Sequence, residues 1–530
     1  MKKYIKKLTS VLIVIFMVTF TSCVEKKAPI SSIKATELNS IICSFGDRPK
    51  DLISLDNNSI RQKDLLLMLF EGLVRIDENN NIVPGIAENW IVSKDELTYT
   101  FNIRSNAQWS DGIEITAKDF VDFFSVVLNP KTNNIYASTL FPVFGAQEYR
   151  EGKRGFDGVA IRAVNDKTLE FKLNSPCSYF LDIISNPVFV LRKIDSSLID
   201  WDKNYKDIQF SGPYKIQEVK SKDEALLIRN ENYYNKAEVK SEKIWAEFIE
   251  SREFALASFK NSKINVMADP PENESAFLMG ADEAIAMPIE KGVGLSFNLK
   301  ENGIASDVNF RKALANVINR EQILENDLNG VGRAASAYIP NLQESKSNKP
   351  FFNTYGNTNL AMSYLNKSKY NKKDNIKLIY IEENQNKQLC EAVAKNVRDA
   401  LDVPIQCIGY NEEEFKEAMQ KGEYDIAASE YTGLYSDSLA FLEGWRTNSN
   451  VFGYKNTEFD SLVAKAKVEK DKTKRKEFIS KGEEILLLDL PVIPIYYENL
   501  VVCRKSNVED IYITKEGNLK LDRAYVKSSK

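Results

Sequence analysis

The side chains best suited to recognition chemistry fall together between Glu430 and Arg446. The carboxylates of Glu430 and Asp437, the rings of Tyr431, Tyr435 and Trp445 and the guanidinium of Arg446 share this segment with Thr432, Gly433 and Leu434. Rings of this kind stack on a ligand ring or a peptide plane, and a guanidinium matches a ligand carboxylate with two parallel hydrogen bonds. Aromatic residues fill cores more often than they touch ligands, and an arginine is commonly held in a surface ion pair, so residue type alone leaves both roles open. What is missing is more decisive. The chain has no histidine, which removes Ser-His-Asp and Cys-His nucleophiles, imidazole acid-base steps and histidine-bearing zinc sites together. Carboxylates are plentiful, yet no spacing singles out a pair for glycoside hydrolysis. The reading is therefore of a binding protein and not an enzyme, with no catalytic residue, metal ligand set or cofactor assigned.

At 530 residues the chain is too long for one ordinary core and implies two or more domains or lobes. Hydrophobic residues make up 43% and charged ones 28%, with a net charge of −4, a balance that argues against a nucleic-acid partner. Lys2, Lys3, Lys6 and Lys7 precede the apolar run Leu8 to Phe20, which is shorter than the ~20 residues of a spanning helix. That pattern is a signal peptide, residues 1–22, and it predicts export. Phe20-Thr21-Ser22-Cys23 resembles a bacterial lipobox with an atypical first residue, so Cys23 is the expected site of lipidation. The alternative is cleavage without lipid and an incidental thiol. Residues 23–37 are polar and read as a tether. No comparable apolar run follows, so attachment to the cell membrane would rest on the lipid alone. Cys43, Cys177, Cys390, Cys407 and Cys503 form an odd set without a C-x-x-C pair. A bridge between Cys390 and Cys407 and simple burial of both thiols are the two readings open for that pair.

The elements that must position the site are legible in places. Leu97, Tyr99, Phe101 and Ile103 alternate with polar residues, the period of a strand buried on one face. Ser110-Asp111-Gly112 makes a turn, and the Thr116 hydroxyl stands where it would cap a helix burying Phe120, Phe123, Phe124 and Val127. Ile41, Ile42 and Phe45 suggest the first strand of the fold. Further on, Leu295 to Leu299 reads as a strand, and a helix carries Phe310, Leu314, Val317 and Ile318 on one face. Ile376 to Ile381 and Val403 to Ile408 read as strands around a helix from Cys390 to Leu401. Such alternation predicts a parallel sheet covered by helices on both sides.

Glu71-Gly72-Leu73-Val74, Val83-Pro84-Gly85, Trp90, Leu97-Thr98-Tyr99-Thr100-Phe101, Trp109-Ser110-Asp111-Gly112 and Asp119-Phe120-Val121 follow one another in an order that resembles the extracellular solute-binding family 5, the oligopeptide- and dipeptide-binding proteins of ABC importers. Phe210-Ser211-Gly212-Pro213-Tyr214, Arg311 with Ala313-Leu314 and Arg320, Tyr454 to Leu462 and Leu490 to Tyr497 extend the resemblance over nearly the whole exported chain. It implies an α/β fold of the periplasmic-binding-protein type II, with two α/β lobes, a hinge and an extra inserted domain (cluster C). The implied division is 38–69, 208–292 and 491–530 for the first lobe, 70–207 for the insertion and 293–490 for the second lobe. It further implies a lipid-anchored, extracytoplasmic receptor that hands oligopeptides to an ABC permease with its ATPase subunits. The absence of histidine counts against the nickel-importing branch.

The resemblance also locates a site. Gly422 to Leu442 is similar, without gaps, to a family segment in which an Asp before a Tyr holds the α-ammonium of the peptide. Leu434 stands at that position here. Burying an ammonium without a counter-charge costs several kcal/mol. Either Glu430 or Asp437 supplies the charge, or the ligand has a blocked amine or is another solute, such as a sugar, an opine-like compound or a signalling peptide. The ligand-binding residues expected on this basis are Glu430, Tyr431, Thr432, Gly433, Leu434, Tyr435, Asp437, Trp445 and Arg446. Asp269-Pro270-Pro271 reads as a rigid turn at a lobe boundary with a weak claim to ligand contact.

Overall fold

The computed structural model describes residues 40–53, 59–300, 303–340, 351–372, 374–383 and 385–527. The expected leader, tether and Cys23 lie outside the described residues. Among those described, no helix is long and apolar enough to cross a membrane.

The alternation at 98–103 becomes a strand, Thr98–Ile103, with Tyr99, Phe101 and Ile103 buried. It sits inside a four-stranded antiparallel sheet with Ala87–Val92, Thr168–Lys172 and Ile161–Asn165. The buried face packs on the helix Ala117–Val127, where the Phe124 and Phe171 rings meet edge to face at 5.3 Å and Phe171 meets Phe101 at 5.8 Å. Thr116 and Asp119 form a capping box at the start of that helix. The Asp119 carboxylate accepts from both the Thr116 backbone N–H and its hydroxyl, each at 2.8 Å. Position 119 carries an acid that reaches back one turn to the capping residue.

A second, larger sheet forms the body of the molecule. Its eleven strands include, in spatial order, Ile405–Tyr410, Ile376–Ile381, Ile426–Thr432, Ala284–Phe297, Val492–Arg504, Val266–Ala268, Ile41–Ser44, Lys243–Glu247, Glu224–Arg229 and Tyr214–Ser221. Strands 376–381 and 405–410 pair in parallel as their alternation with the helix Asn386–Leu401 predicts. The sheet as a whole is mixed, because Ala284–Phe297 and Val492–Arg504 run antiparallel to each other through its middle. One leaves the first half of the sheet and the other returns to it, so opposite directions are unavoidable.

These two crossing strands carry residues that ordinarily break strands. Pro288, Gly292 and Gly294 lie in the first and Pro494 in the second. Register shifts fall between Pro288 and Gly292 and again between Val293 and Gly294, whose partners are Tyr496 and Pro494. Proline is tolerated where a bulge has already removed a ladder bond. This also explains why sequence reading finds only the last residues of the first crossing strand. Below the sheet, Cys390 and Cys407 are free thiols, with the Cys407 sulfur donating to the Cys390 carbonyl at 3.4 Å. The bridge is not formed, and of the expected burial of both thiols only that of Cys390 is complete, Cys407 being half-buried.

One pairing in the first half of the sheet has a measurable consequence. Glu247 stands directly opposite Glu224 on the neighbouring strand, and burial, reinforced by Glu224, pushes its carboxyl up from 4.5 to about 7. A carboxyl raised on folding stabilises the native state fully below its ordinary value, and that stabilisation is lost as the pH rises through about 7. Glu247→Gln is expected to raise stability, with the gain larger at pH 8 than at pH 5 by about 2 kcal/mol, as read from urea unfolding at the two pH values.

Candidate functional site

A cavity of about 580 Å³ opens where the two halves of the large sheet and the four-stranded layer face one another. One side is lined by residues such as Asp47, Arg61, Lys63, Asp269, Glu272 and Asn518, and the other by Glu430, Thr432 to Ser436, Gln385 and Asn386. Tyr136, Asp182, Asn186 and Pro187 close a third side. Both crossing strands pass along it, contributing Ile289 and Lys291 from one and Tyr496 and Glu498 to Val501 from the other.

The strand Ile426–Thr432 places the segment singled out in the sequence. One of its edges pairs with the first crossing strand from Ile426 to Thr432. Its other edge pairs with Ile376–Ile381 only at Ile426 and Ala427. Among the described residues, no strand pairs with that second edge from Ser429 to Thr432. Glu430, Thr432, Gly433, Leu434 and Tyr435 all line the cavity. Leu434 is 39% exposed, so it is not a packed core residue, and its carbonyl accepts from Asn186 Nδ2 at 3.0 Å. A Cβ on Gly433 would come within 2.8 Å of the Tyr435 carbonyl and 2.9 Å of Ala440 Cβ, which accounts for glycine at this close approach.

Tyr431, Asp437, Trp445 and Arg446 do not line the cavity, and Tyr435, which does, is held by other partners. The Tyr431 ring lies over Gly292, where a Cβ would fall 2.2 Å from it. It stacks on Tyr338 at 4.4 Å and donates its hydroxyl to the Tyr338 carbonyl at 2.9 Å. Trp445 donates Nε1 to the Tyr338 hydroxyl at 2.7 Å and stacks on Phe452, a core position. Tyr435 stacks face to face on Tyr179 at 5.0 Å and donates to Glu443 at 2.6 Å. Asp437 accepts two bonds from the Arg475 guanidinium at 2.8 and 2.9 Å and also accepts the Leu439 N–H at the start of a helix. Its lone pairs are thus committed, and neither Asp437 nor Arg446 lines the cavity.

The cavity is acidic. Asp47, Asp182, Glu250, Asp269, Glu272, Glu430, Glu498 and Glu516 line it against Arg61, Lys63, Arg252 and Lys291. Arg61 pairs with Asp64 at 2.6 Å and Asp269 at 3.3 Å, and Arg252 pairs with Glu272 at 2.5 Å. Lys291 bridges two carboxylates, Glu430 at 2.6 Å and Glu498 at 3.1 Å. Burial drives the Glu498 carboxyl up to about 7, with Lys291 opposing and Glu430 assisting the rise. Lys291 and Glu498 escape sequence reasoning because each lies within an otherwise apolar strand far from residue 430. The one signal available was a charged residue interrupting a buried run. Asp269 and Pro270, singled out as a turn, do form part of the wall.

Residues 81–453 match the bacterial extracellular solute-binding proteins, family 5. The chain is 28% identical over 457 residues to the dipeptide-binding protein DppE of Bacillus subtilis, covering 84% of each chain. It is 29% identical over 491 residues to the oligopeptide-binding protein OppA of the same organism, covering 89% of this chain and 90% of the relative. Its fold superposes on the murein tripeptide binding protein MppA of Escherichia coli with a TM-score of 0.78 at 23% identity, over 92% of this chain and 98% of that one. The fold is that of the type II periplasmic binding proteins.

The Asp437 and Arg475 pair, with side chains 8% and 10% exposed, is open to a direct test. Asp437→Asn keeps a side chain able to cap the helix but leaves the buried guanidinium without its counter-charge. A loss of about 3 kcal/mol in urea unfolding is expected.

Proposed function

Because the chain belongs to the bacterial extracellular solute-binding proteins of family 5, we propose that it captures oligopeptides outside the cell for import by an ABC permease and its ATPase subunits. It does so as a receptor and performs no chemistry on its cargo. The observation that carries the peptide reading is the free edge of Ser429 to Thr432 beside the cavity. A strand edge without a partner bonds the backbone of an extended peptide, a feature all peptides share, and leaves side chains to the surrounding space. In this reading Glu430, Thr432, Gly433, Leu434 and Tyr435 contact the ligand. Tyr431 and Trp445 support the wall from behind.

The first and second lobes and the insertion, divided as the sequence suggests at 70–207 and near 292 and 491, close on the ligand through the crossing strands. Cys23 carries the lipid that holds the receptor at the membrane, and the polar residues after it give the receptor its reach. One observation favours a second reading. An exposed Leu434 in the cavity suits a ligand whose amine is blocked or absent, including a non-peptide solute.

Thermal unfolding with a panel of two- to six-residue peptides tests the proposal. Ligands of the native state raise its stability by about 2.7 kcal/mol at a hundred times their Kd, so at least one peptide class should raise Tm in proportion to the logarithm of its concentration. A panel without any shift, alongside a shift with a sugar or opine, would replace the peptide reading by the second one.

A further inference from the structure

We infer that the helices Arg252–Lys260 and Glu272–Gly280 present the surface by which this receptor docks on its permease, through the rings of Phe254 and Phe277. The inference rests on the receptor reading and adds to it the place of contact. The two rings are 70% and 66% exposed, an unusual position for phenylalanine. Each helix already buries an apolar side of its own, with Ala255, Leu256 and Phe259 in the first and Leu278 in the second. Phe254 and Phe277 stand away from those sides at helical spacing, so they are surplus to the core. Their backbone is well held. Ser251 accepts the Phe254 N–H at 3.3 Å at the start of the first helix, and the Arg252–Glu272 and Lys260–Glu274 ion pairs link the two helices.

Position, size and charge select the occupant. Arg252, Ala255, Glu272 and Ser275, neighbours of the two rings on the same helices, line the cavity. The rings therefore stand beside the wall that encloses cargo, where a partner taking over that cargo has to make contact. Two phenylalanines cover about 300–500 Å² on contact, well below the ~800 Å² per partner of a lasting association. A footprint of that size suits a contact made and released in each transport cycle, and it is too small for a stable pair of receptors. Charge narrows the choice further. The pairs Arg252–Glu272 and Lys260–Glu274 neutralise themselves, which leaves Glu253, Asp282 and Glu283 against Lys263 in the stretches 252–263 and 272–283. An acidic rim is repelled by an anionic lipid surface. It complements a protein partner whose apolar pocket is ringed by lysine or arginine, the apolar centre and polar rim of a specific interface.

Uptake by cells that naturally make the chain, with their own copy replaced by variants, tests this. The probe is a tritiated peptide from the thermal panel, the one with the largest rise in Tm, and uptake is normalised to the amount of chain the cells display. Phe254→Asp and Phe277→Asp should each lower initial uptake about tenfold, as loss of one interface anchor does, and the double variant should fall to the level of cells lacking the chain. Leucine at either position should restore most of the uptake. Purified, every variant should keep its Kd for the same peptide within about twofold, as exposed substitutions do, which also shows that the variants are folded. Asp282→Lys should lower uptake severalfold, again at unchanged Kd. Uptake by the double variant equal to that of the natural chain, or a fall no larger than a weakened Kd accounts for, overturns the docking surface and leaves the receptor reading standing. A dimer of the natural chain, or its binding to phosphatidylglycerol vesicles, that the double variant abolishes also overturns it, by giving the rings to a second copy or to the membrane. Undiminished uptake in cells lacking the chain overturns the receptor reading and the surface with it.

Discussion

Everything in this molecule hangs on two antiparallel strands that pass from one half of the large sheet to the other. Each is continuous in its hydrogen bonding at both ends and irregular in the middle, where Pro288, Gly292 and Pro494 coincide with the register shifts. A strand pair with a bulge twists and bends more readily than a regular ladder. The same pair brings Lys291, Glu498 and Asn499 to the cavity wall. The irregular stretch of the sheet and this part of the cavity wall are thus built from one piece of backbone.

Packing fixes the remaining walls. The core beneath the four-stranded layer is continuous with the core of the second half of the large sheet, while the first half has its own. Tyr179 on Tyr435 joins the former pair, and Arg475 extends the arrangement by lying over the Tyr179 ring at 5.0 Å while holding Asp437. Tyr431 and Trp445 converge on Tyr338, so the aromatic content of the segment goes mainly into support.

The sequence was readable where one periodicity dominates. Thr98–Ile103 buries every second residue, and its partner helix Ala117–Val127 buries Phe120, Phe123, Phe124 and Val127, as the pattern requires. It was unreadable where tertiary context overrides local preference. The crossing strand Ala284–Phe297 contains two glycines and a proline, which locally argue for a loop, and it survives because partners on both edges supply its hydrogen bonds. The mixed direction of the sheet was likewise hidden, since it follows from where the chain returns. At the site, the stretch from Glu430 to Tyr435 could be found from its letters. The commitment of Asp437 to Arg475, and the company Glu430 keeps with Lys291 and Glu498, depend on residues brought from distant parts of the chain.

The bond from Asn186 to the Leu434 carbonyl and the ring pair beside it are the small contacts by which the four-stranded layer touches the site segment next to the cavity. An amide bond of this kind and one stacked tyrosine pair are together worth about 1–3 kcal/mol. These contacts add to the shared hydrophobic core that joins the layer to the second half of the large sheet, so the layer and the site segment hold their positions together.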